Sequence, residues 1–473
     1  MDPQNTLQAR AAAGSPCPSN RPSTSPSIPR LQAATESLQR RVTHLLHIES
    51  FSGMVLMLAA AAALIWANSP WAASYFAAWH APLAVTLGPW NWSTDVHFIV
   101  NDVLMTVFFL VVGMEIRREL HDGALANLRQ AALPVIAALG GVIVPALIYV
   151  LLVKEHAALI NGWAIPTATD IAFAMGVLAL LGRNIPGSLR IFLLALAIID
   201  DIIAVLIIAF FYSGGLQAMG FVIAAAGLLL VLLFNRMGIA SAWLYTLPGA
   251  ILWFGLLKTG AHPTLAGVVL GLMTPVLARP SSTPPISQAE LALQNTQTQL
   301  TQSAPDAQQI HQQLRAMQTA QRDVLPPALR LPMVLHPWVA FGVMPVFALA
   351  NAGVQLSGTD LQSAAPQAAV WAVLAALVLG KPLGIVLATL LAVKTRICSL
   401  PAGLNWHGVL LVGLLAGIGF TMSIFVGGLA FEDASLLGAA KLGVLSASAI
   451  AAVLGLLFGA LFRQRIVMSG QTS

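Results

Sequence analysis

Trp163-Ala164-Ile165-Pro166-Thr167-Ala168-Thr169-Asp170-Ile171-Ala172-Phe173 lies inside a long apolar run and carries a proline, two threonines and a carboxylate at its centre. Pro166 has no N–H to give to a helix, and its ring clashes with the preceding turn. Thr167, Thr169 and Asp170 cluster beside that break. Loose backbone at membrane depth is tolerated only where it is buried in protein or lines a cavity. A proline kink capped by threonines accounts for Pro166 but leaves Asp170 unexplained. The break and the charge therefore point to one place inside a helical bundle.

Three more mid-span charges accompany it. The next apolar run contains Leu196-Ala-Ile-Ile-Asp200-Asp201-Ile-Ile-Ala204, and a later one Leu379-Gly380-Lys381-Pro382-Leu383-Gly384. A charge at the bilayer centre costs roughly 2.5–3.5 kcal/mol on insertion scales, so the default reading of such residues is an ion or proton site. Adjacent helical residues point about 100° apart, so Asp200 and Asp201 cannot face one spot equally. Two close carboxylates in a low dielectric disfavour each other's ionisation, which lets such a pair exchange protons near neutral pH. A lysine–aspartate pair lets Lys381 and a carboxylate be held in the membrane together, either as a fixed structural pair or as one that opens to release a proton.

The composition agrees. The chain has 473 residues, 58% hydrophobic and 9% charged, with mean hydropathy +0.81, against about 25% charged in a soluble domain. The net charge of +5 does not indicate nucleic acid, because the basic residues are spread through short loops. Cys17 and Cys398 suggest neither a disulfide framework nor a metal site.

Twelve candidate spans follow, near 52–68, 95–117, 131–153, 159–181, 187–212, 216–235, 240–257, 261–278, 337–356, 366–393, 405–429 and 435–462. Segments on the side of the N-terminus carry nearly all the arginines, among them Arg117, Arg118, Arg129, Arg183, Arg236 and Arg279, whereas the other side carries Lys154 and Lys258. By the positive-inside rule both termini are cytoplasmic. Residues 1–45 read as a disordered cytoplasmic tail, 46–465 as the membrane domain and 466–473 as a C-terminal tail. The Gln-rich stretch 280–328 reads as a long, partly helical cytoplasmic loop. The far-side connection 69–94 holds Trp71, Trp79, Trp90 and Trp92 beside a turn-like Gly88-Pro89-Trp90-Asn91, which suits an interfacial hairpin or a dimer contact.

The eleventh span contains Gly413-Leu-Leu-Ala-Gly417-Ile-Gly419-Phe-Thr421-Met-Ser423. Glycines and hydroxyls mid-span suggest a second interrupted helix or a close helix crossing, and spacing such as Gly413/Gly417 is by itself ordinary helix packing. Spans 3–5 and 10–12 each place their interrupted helix in the middle. Their offset is odd, so the two groups enter the membrane from opposite sides, as in an inverted repeat. Half-helix ends meeting at the midplane need compensating charge, which Asp170 and Lys381 can supply. Weaker candidates for a pH response are Glu115 and Glu119 at the cytoplasmic end of the second span, His262 and His336.

Together Ala168-Thr169-Asp170-Ile171-Ala172-Phe173-Ala174, Ile199-Asp200-Asp201, Phe347-Ala-Leu-Ala-Asn351-Ala-Gly353, Gly380-Lys381-Pro382-Leu383-Gly384 and Gly417-Ile-Gly419-Phe-Thr421-Met-Ser423 resemble the NhaA family of bacterial sodium/proton antiporters, over roughly 45–465. The resemblance implies an all-α fold of twelve spans with crossed, unwound fourth and eleventh helices. It implies that Asp200 and Asp201 bind sodium or protons, that Asp200 pairs with Lys381, and that Thr169, Asp170, Gly419 and Thr421 support the crossing. It implies electrogenic exchange of sodium or lithium for protons without a cofactor, in the bacterial inner membrane, with a dimer formed through 69–94. One departure is Arg330-Leu-Pro332-Met333-Val-Leu-His336-Pro337, where Pro332 and Met333 replace an acidic residue and a histidine of the family's pH response. The nearest rival is a sodium-coupled symporter of an organic anion, which would need a larger substrate pocket. An intramembrane aspartyl protease is disfavoured because no Gly-x-Gly-Asp precedes the aspartates. A non-transporting cation sensor with 280–328 as its output is the third rival.

Overall fold

The structure, a computed structural model, describes residues 49–87, 90–123, 125–182, 185–214, 217–239, 241–276, 285–301, 306–324, 326–355 and 363–462. The tails expected at 1–45 and 466–473 lie outside the described residues, as does the Gly88-Pro89 turn. The described residues belong to one unit, Ile48–Ser473.

Helix α1 (Glu49–Ala67) turns through 117° into the short α2 (Ala72–Trp79). A hairpin follows, β1 (Pro82–Leu87) antiparallel to β2 (Trp90–Asp95), with Pro82 opposite Asp95 and Leu87 opposite Trp90. Asp95 then opens α3 (Val96–His121), its carboxylate accepting from the Phe98 amide at 2.7 Å, which satisfies one of the free donors at a helix start. Next come α4 (Leu128–Val153), a 3-10 stretch (Ala157–Thr167), α5 (Ile171–Leu180), α6 (Gly187–Phe211), α7 (Ala218–Arg236), α8 (Thr246–Thr259) and α9 (Leu265–Leu272). The second half has α10 (Pro285–Leu300), α11 (Ala307–Val324), α12 (Pro327–Asn351), α13 (Ala364–Lys394), α14 (Trp406–Ala416), α15 (Phe420–Ala430) and α16 (Ala434–Leu461).

Among the described residues, seven helices are long and apolar enough to cross a membrane. Three more apolar pairs are bent at short breaks: α1 with α2 as above, and the 3-10 stretch with α5 and α14 with α15, by 51° and 45°. Leu58, Ile65, Phe210, Met219 and Leu461 are each at least 70% exposed, which suits lipid and not water. This is a multi-pass, all-α membrane protein, with the hairpin as the β element among the described residues.

The most enclosed span is α6, 72% buried over its most apolar stretch, and it carries the aspartate pair. Helices α4 and α13 pack backbone against backbone. A Cβ added at Gly384 would lie 2.1 Å from the Gly140 carbonyl oxygen, so glycine is required for this approach. That contact draws α13, and with it Lys381, to the centre.

The structure departs from the sequence reading in several places. The ninth span was expected to begin at Pro337, but α12 starts at Pro327, with Pro332 and Pro337 inside it. Proline is favourable in the first turn, where no N–H is needed. The prolines further in are followed by a π-helical turn at Val339–Val343. Further π turns occupy Ile99–Leu104 and Ala376–Gly380, the latter directly before Lys381. Such turns often sit at functional sites. Helix α2 was not foreseen. Within 280–328, α10 and α11 pack together, with Ala292, Thr296 and Ala320 buried and Gln299 Nε2 donating to Gln309 Oε1 at 2.8 Å.

Candidate functional site

The two breaks meet. The 3-10 stretch stops at Thr167, and Ala168 and Asp170 are extended (φ −88°, ψ 151° and φ −85°, ψ 101°). Asp170 caps its own helix, Oδ1 accepting from the Phe173 amide at 3.0 Å. Its Oδ2 accepts from the Thr421 amide at 3.1 Å and from the Thr421 hydroxyl at 2.5 Å. Its amide donates to the Ile418 carbonyl at 2.8 Å. One carboxyl group thus receives the N-termini of both α5 and α15, the positive ends of two helix dipoles. Gly419 completes the junction: a Cβ there would lie 2.2 Å from Ser423 Oγ.

Asp200 and Asp201 come to this junction from α6. Asp200 Oδ2 lies 2.8 Å from Lys381 Nζ and accepts from Thr169 Oγ1 at 2.7 Å. Lys381 also donates to the Thr167 carbonyl, at the negative end of the 3-10 stretch. Thr169 Oγ1 is also 3.1 Å from the Ala416 carbonyl. Asp200, Lys381, Thr169 and Thr421 have no exposed surface, and Asp201 has 2%. The other oxygen of Asp200 and Oδ1 of Asp201 are buried without a hydrogen-bond partner among the described residues. Buried polar atoms are normally satisfied, and two orphaned carboxylate oxygens on adjacent residues are the donor set a small cation or protons would complete.

The other candidates lie elsewhere. Glu115 is half-buried on α3. Glu119 Oε1 lies 3.4 Å from Arg118 Nη2, and His336 is exposed on α12. His262 is within 2.8 Å of Thr264 Oγ1 and 3.8 Å of Asp102 Oδ1. The structure does not bring His336 or His262 into contact with the aspartate pair. Lys441, in α16, was not singled out, although a lysine inside an apolar run is the same signal that drew attention to Lys381.

Thr169 was assigned to the helix crossing, and the structure gives its hydroxyl a second role on Asp200. Thr169→Val keeps the shape and removes the donor. A hydrogen bond to a charged group contributes about 1.5–3 kcal/mol, so the cation concentration giving half-maximal occupancy of the pair should rise roughly tenfold or more. Thr169→Ser should stay near wild type. The check is dye dequenching in everted membrane vesicles, and an unchanged half-maximal concentration in Thr169→Val would rule out a role for this hydroxyl.

A desolvated carboxylate pair with a lysine partner, set between two broken spans, marks a secondary transporter of small ions rather than an enzyme. Comparison with known proteins narrows the class. The model of the family described as Na+/H+ antiporter 1 matches residues 43–458. The Na+/H+ antiporter NhaA of Janthinobacterium sp. (strain Marseille) is 61% identical over 440 residues, covering 93% of this chain and 97% of that protein. The NhaA of Cupriavidus necator is 58% identical, covering 92% and 93%, and NhaA 2 of a Pseudomonas putida strain is 59% identical, covering 91% and 95%. The chain belongs to the NhaA family of sodium/proton antiporters. It needs no cofactor, since sodium and protons are its cargo.

Proposed function

We propose that this chain exchanges cytoplasmic sodium, or lithium, for a larger number of external protons, so that transport moves net charge and serves sodium and pH homeostasis. The observation that supports this reading is the pair of unpartnered oxygens on Asp200 and Asp201 beside the Lys381 ammonium. Sodium is a hard cation and takes oxygen ligands. Carboxylate oxygens neutralise its charge best in a low dielectric. Protons compete for the same oxygens, so sodium and protons exclude each other. When sodium draws on Asp200, the ion pair to Lys381 weakens, which links the ion's arrival to the Thr167 carbonyl and the first break. Alternating access follows if the loaded and proton-bound forms favour opposite openings.

The architecture that goes with this reading has twelve spans. The pairs bent by 51° and 45° count as spans four and eleven, and α8 and α9 as short spans seven and eight. Spans 3–5 and 10–12 form inverted repeats whose broken helices cross at Asp170 and Thr421. Both termini face the cytoplasm of a bacterium, with the protein in the inner membrane. A second copy pairs through the 69–94 hairpin.

The direct test uses purified protein in weakly buffered detergent with a pH indicator. Adding sodium chloride should release protons in a saturable way, and choline chloride should release none. Sodium that releases no protons at any pH would sink the proposal.

A further inference from the structure

The second break lacks a cap of its own. Helix α5 begins with Asp170, which satisfies the Phe173 amide from within the same segment. Helix α15 begins after Gly419, which has no side chain to offer. A helix start leaves its first amides without internal partners, and in hydrocarbon each such donor is costly. Two of these amides are met from other spans. The Thr421 amide goes to Asp170, and the Phe420 amide goes to Ser448 Oγ at 3.1 Å, on α16.

Ser448 does not behave as an ordinary serine in an apolar helix. Such a serine usually turns its hydroxyl back to its own backbone. Ser446, two residues earlier, does this, donating to the Leu442 carbonyl at 2.5 Å. Ser448 is 2% exposed, and its oxygen faces the break instead. One turn further, Ala451 sits beside Gly417, where a Cβ would come within 3.5 Å of the alanine methyl. One face of α16 therefore lines the second break from 417 to 420. Across it, the Phe420 ring packs edge-on against Phe173, centroids 5.6 Å apart. Phe173 is the residue whose amide holds Asp170 Oδ1.

We propose that Ser448 is a positioning residue for ion exchange: its hydroxyl oxygen fixes where α15 begins, and so places Thr421 on Asp170 beside Asp200 and Asp201. This rests on the sodium/proton exchange reading above. Without the oxygen, the Phe420 amide is buried with no acceptor. The start of α15 then shifts toward another acceptor and carries Thr421 with it. The contact to Asp170 loosens, and through Thr169 the disturbance reaches Asp200. The last span becomes part of the site's support without touching the ion.

The experiment compares Ser448→Ala, Ser448→Thr and wild type in everted vesicles, with the amount of inserted protein measured for each. An unmet buried donor of this kind predicts that Ser448→Ala raises the half-maximal sodium concentration roughly tenfold and displaces the pH profile of exchange. Ser448→Thr, which keeps the hydroxyl, should return both to near wild type. Half-maximal concentration does not depend on protein amount, so reduced insertion alone does not mimic the effect. An unchanged half-maximal sodium concentration and pH profile in Ser448→Ala overturns the proposal. Equal impairment of both variants overturns it too, since that would report packing. So does failure of Ser448→Ala to insert while Ser448→Thr inserts and works, since that would make Ser448 a folding residue. Absence of sodium-dependent proton movement in wild type, against Asp201→Asn as background, would instead overturn the exchange reading.

Discussion

Asp201→Asn abolishes sodium-dependent proton movement and leaves the protein at least as resistant to heat as before. The two halves of this expectation have one cause. Asp201 is 2% exposed, and its Oδ1 has no hydrogen-bond partner. It stands next to Asp200, whose Oδ2 is already committed to Lys381 and Thr169. The lysine charge is therefore largely compensated by one carboxylate, and a second carboxylate has no cation of its own in contact. Burying an uncompensated charge is costly, and asparagine has the same shape without the charge. Exchange, by contrast, needs a group that carries either a proton or a negative charge to a cation, and an amide does neither. Vesicle dequenching reads the transport loss, and thermal unfolding of the purified protein reads stability. A variant that still exchanges would remove Asp201 from the mechanism. One that lost transport together with a large drop in melting temperature would show that Asp201 is there for structure. Sites that sacrifice stability for chemistry are where local rules are expected to fail.

The parts of this site that could be read from the chain are those written in costly residues. Pro166 and Asp170 mark a break because neither belongs in the middle of an apolar helix. Lys381 and a mid-span carboxylate suggest each other because each lowers the other's cost in the membrane, although that the carboxylate is Asp200 followed only from the family resemblance. What escaped the reading is set by packing between distant spans. Helical spacing states which face a residue occupies, but not which side chain of another span meets it, so the donation of Thr169 to Asp200 was invisible. Ser448 was invisible for a sharper reason. A lone serine in an apolar run normally bonds its own helix, as Ser446 does, and nothing near position 448 says otherwise. The π turn at Ala376–Gly380 is likewise not written in the local sequence, which is as apolar as the helix on either side of it. The early start of α12 at Pro327 reflects the double nature of proline, a breaker inside a helix and a good first residue. Lys441 is different: its signal was present and went unread.

The second large effect concerns the ion pair itself. Lys381→Met should destabilise the protein by about 3–5 kcal/mol, because it leaves Asp200 charged, fully buried and without its cation. Nothing in the surroundings can replace the ammonium, since Thr169 supplies one neutral donor and the remaining oxygen of Asp200 has none. Adding Asp200→Asn to Lys381→Met should recover most of the loss. Two charges have then been exchanged for an amide and a thioether of similar volume, a replacement that is often neutral or better in protein interiors. Recovery should fall short of complete, because the Thr167 carbonyl loses the donor that Lys381 gave it and methionine offers none. The asparagine can still accept from Thr169 Oγ1, so the first break keeps its tie to α6. The measurement is a double-mutant cycle in thermal stability, in which coupling of the two sites appears as strong non-additivity. Additive losses would mean that the 2.8 Å contact contributes no coupling to the folded state. In the double variant exchange should stay impaired even where stability returns, because Asp201 then works beside a site with neither a second carboxylate nor an amine, and so with no neighbouring group that can take up and release a proton. A stable double variant with wild-type sodium dependence would show instead that the Asp200–Lys381 pair is a structural tie and that Asp201 alone handles the ion.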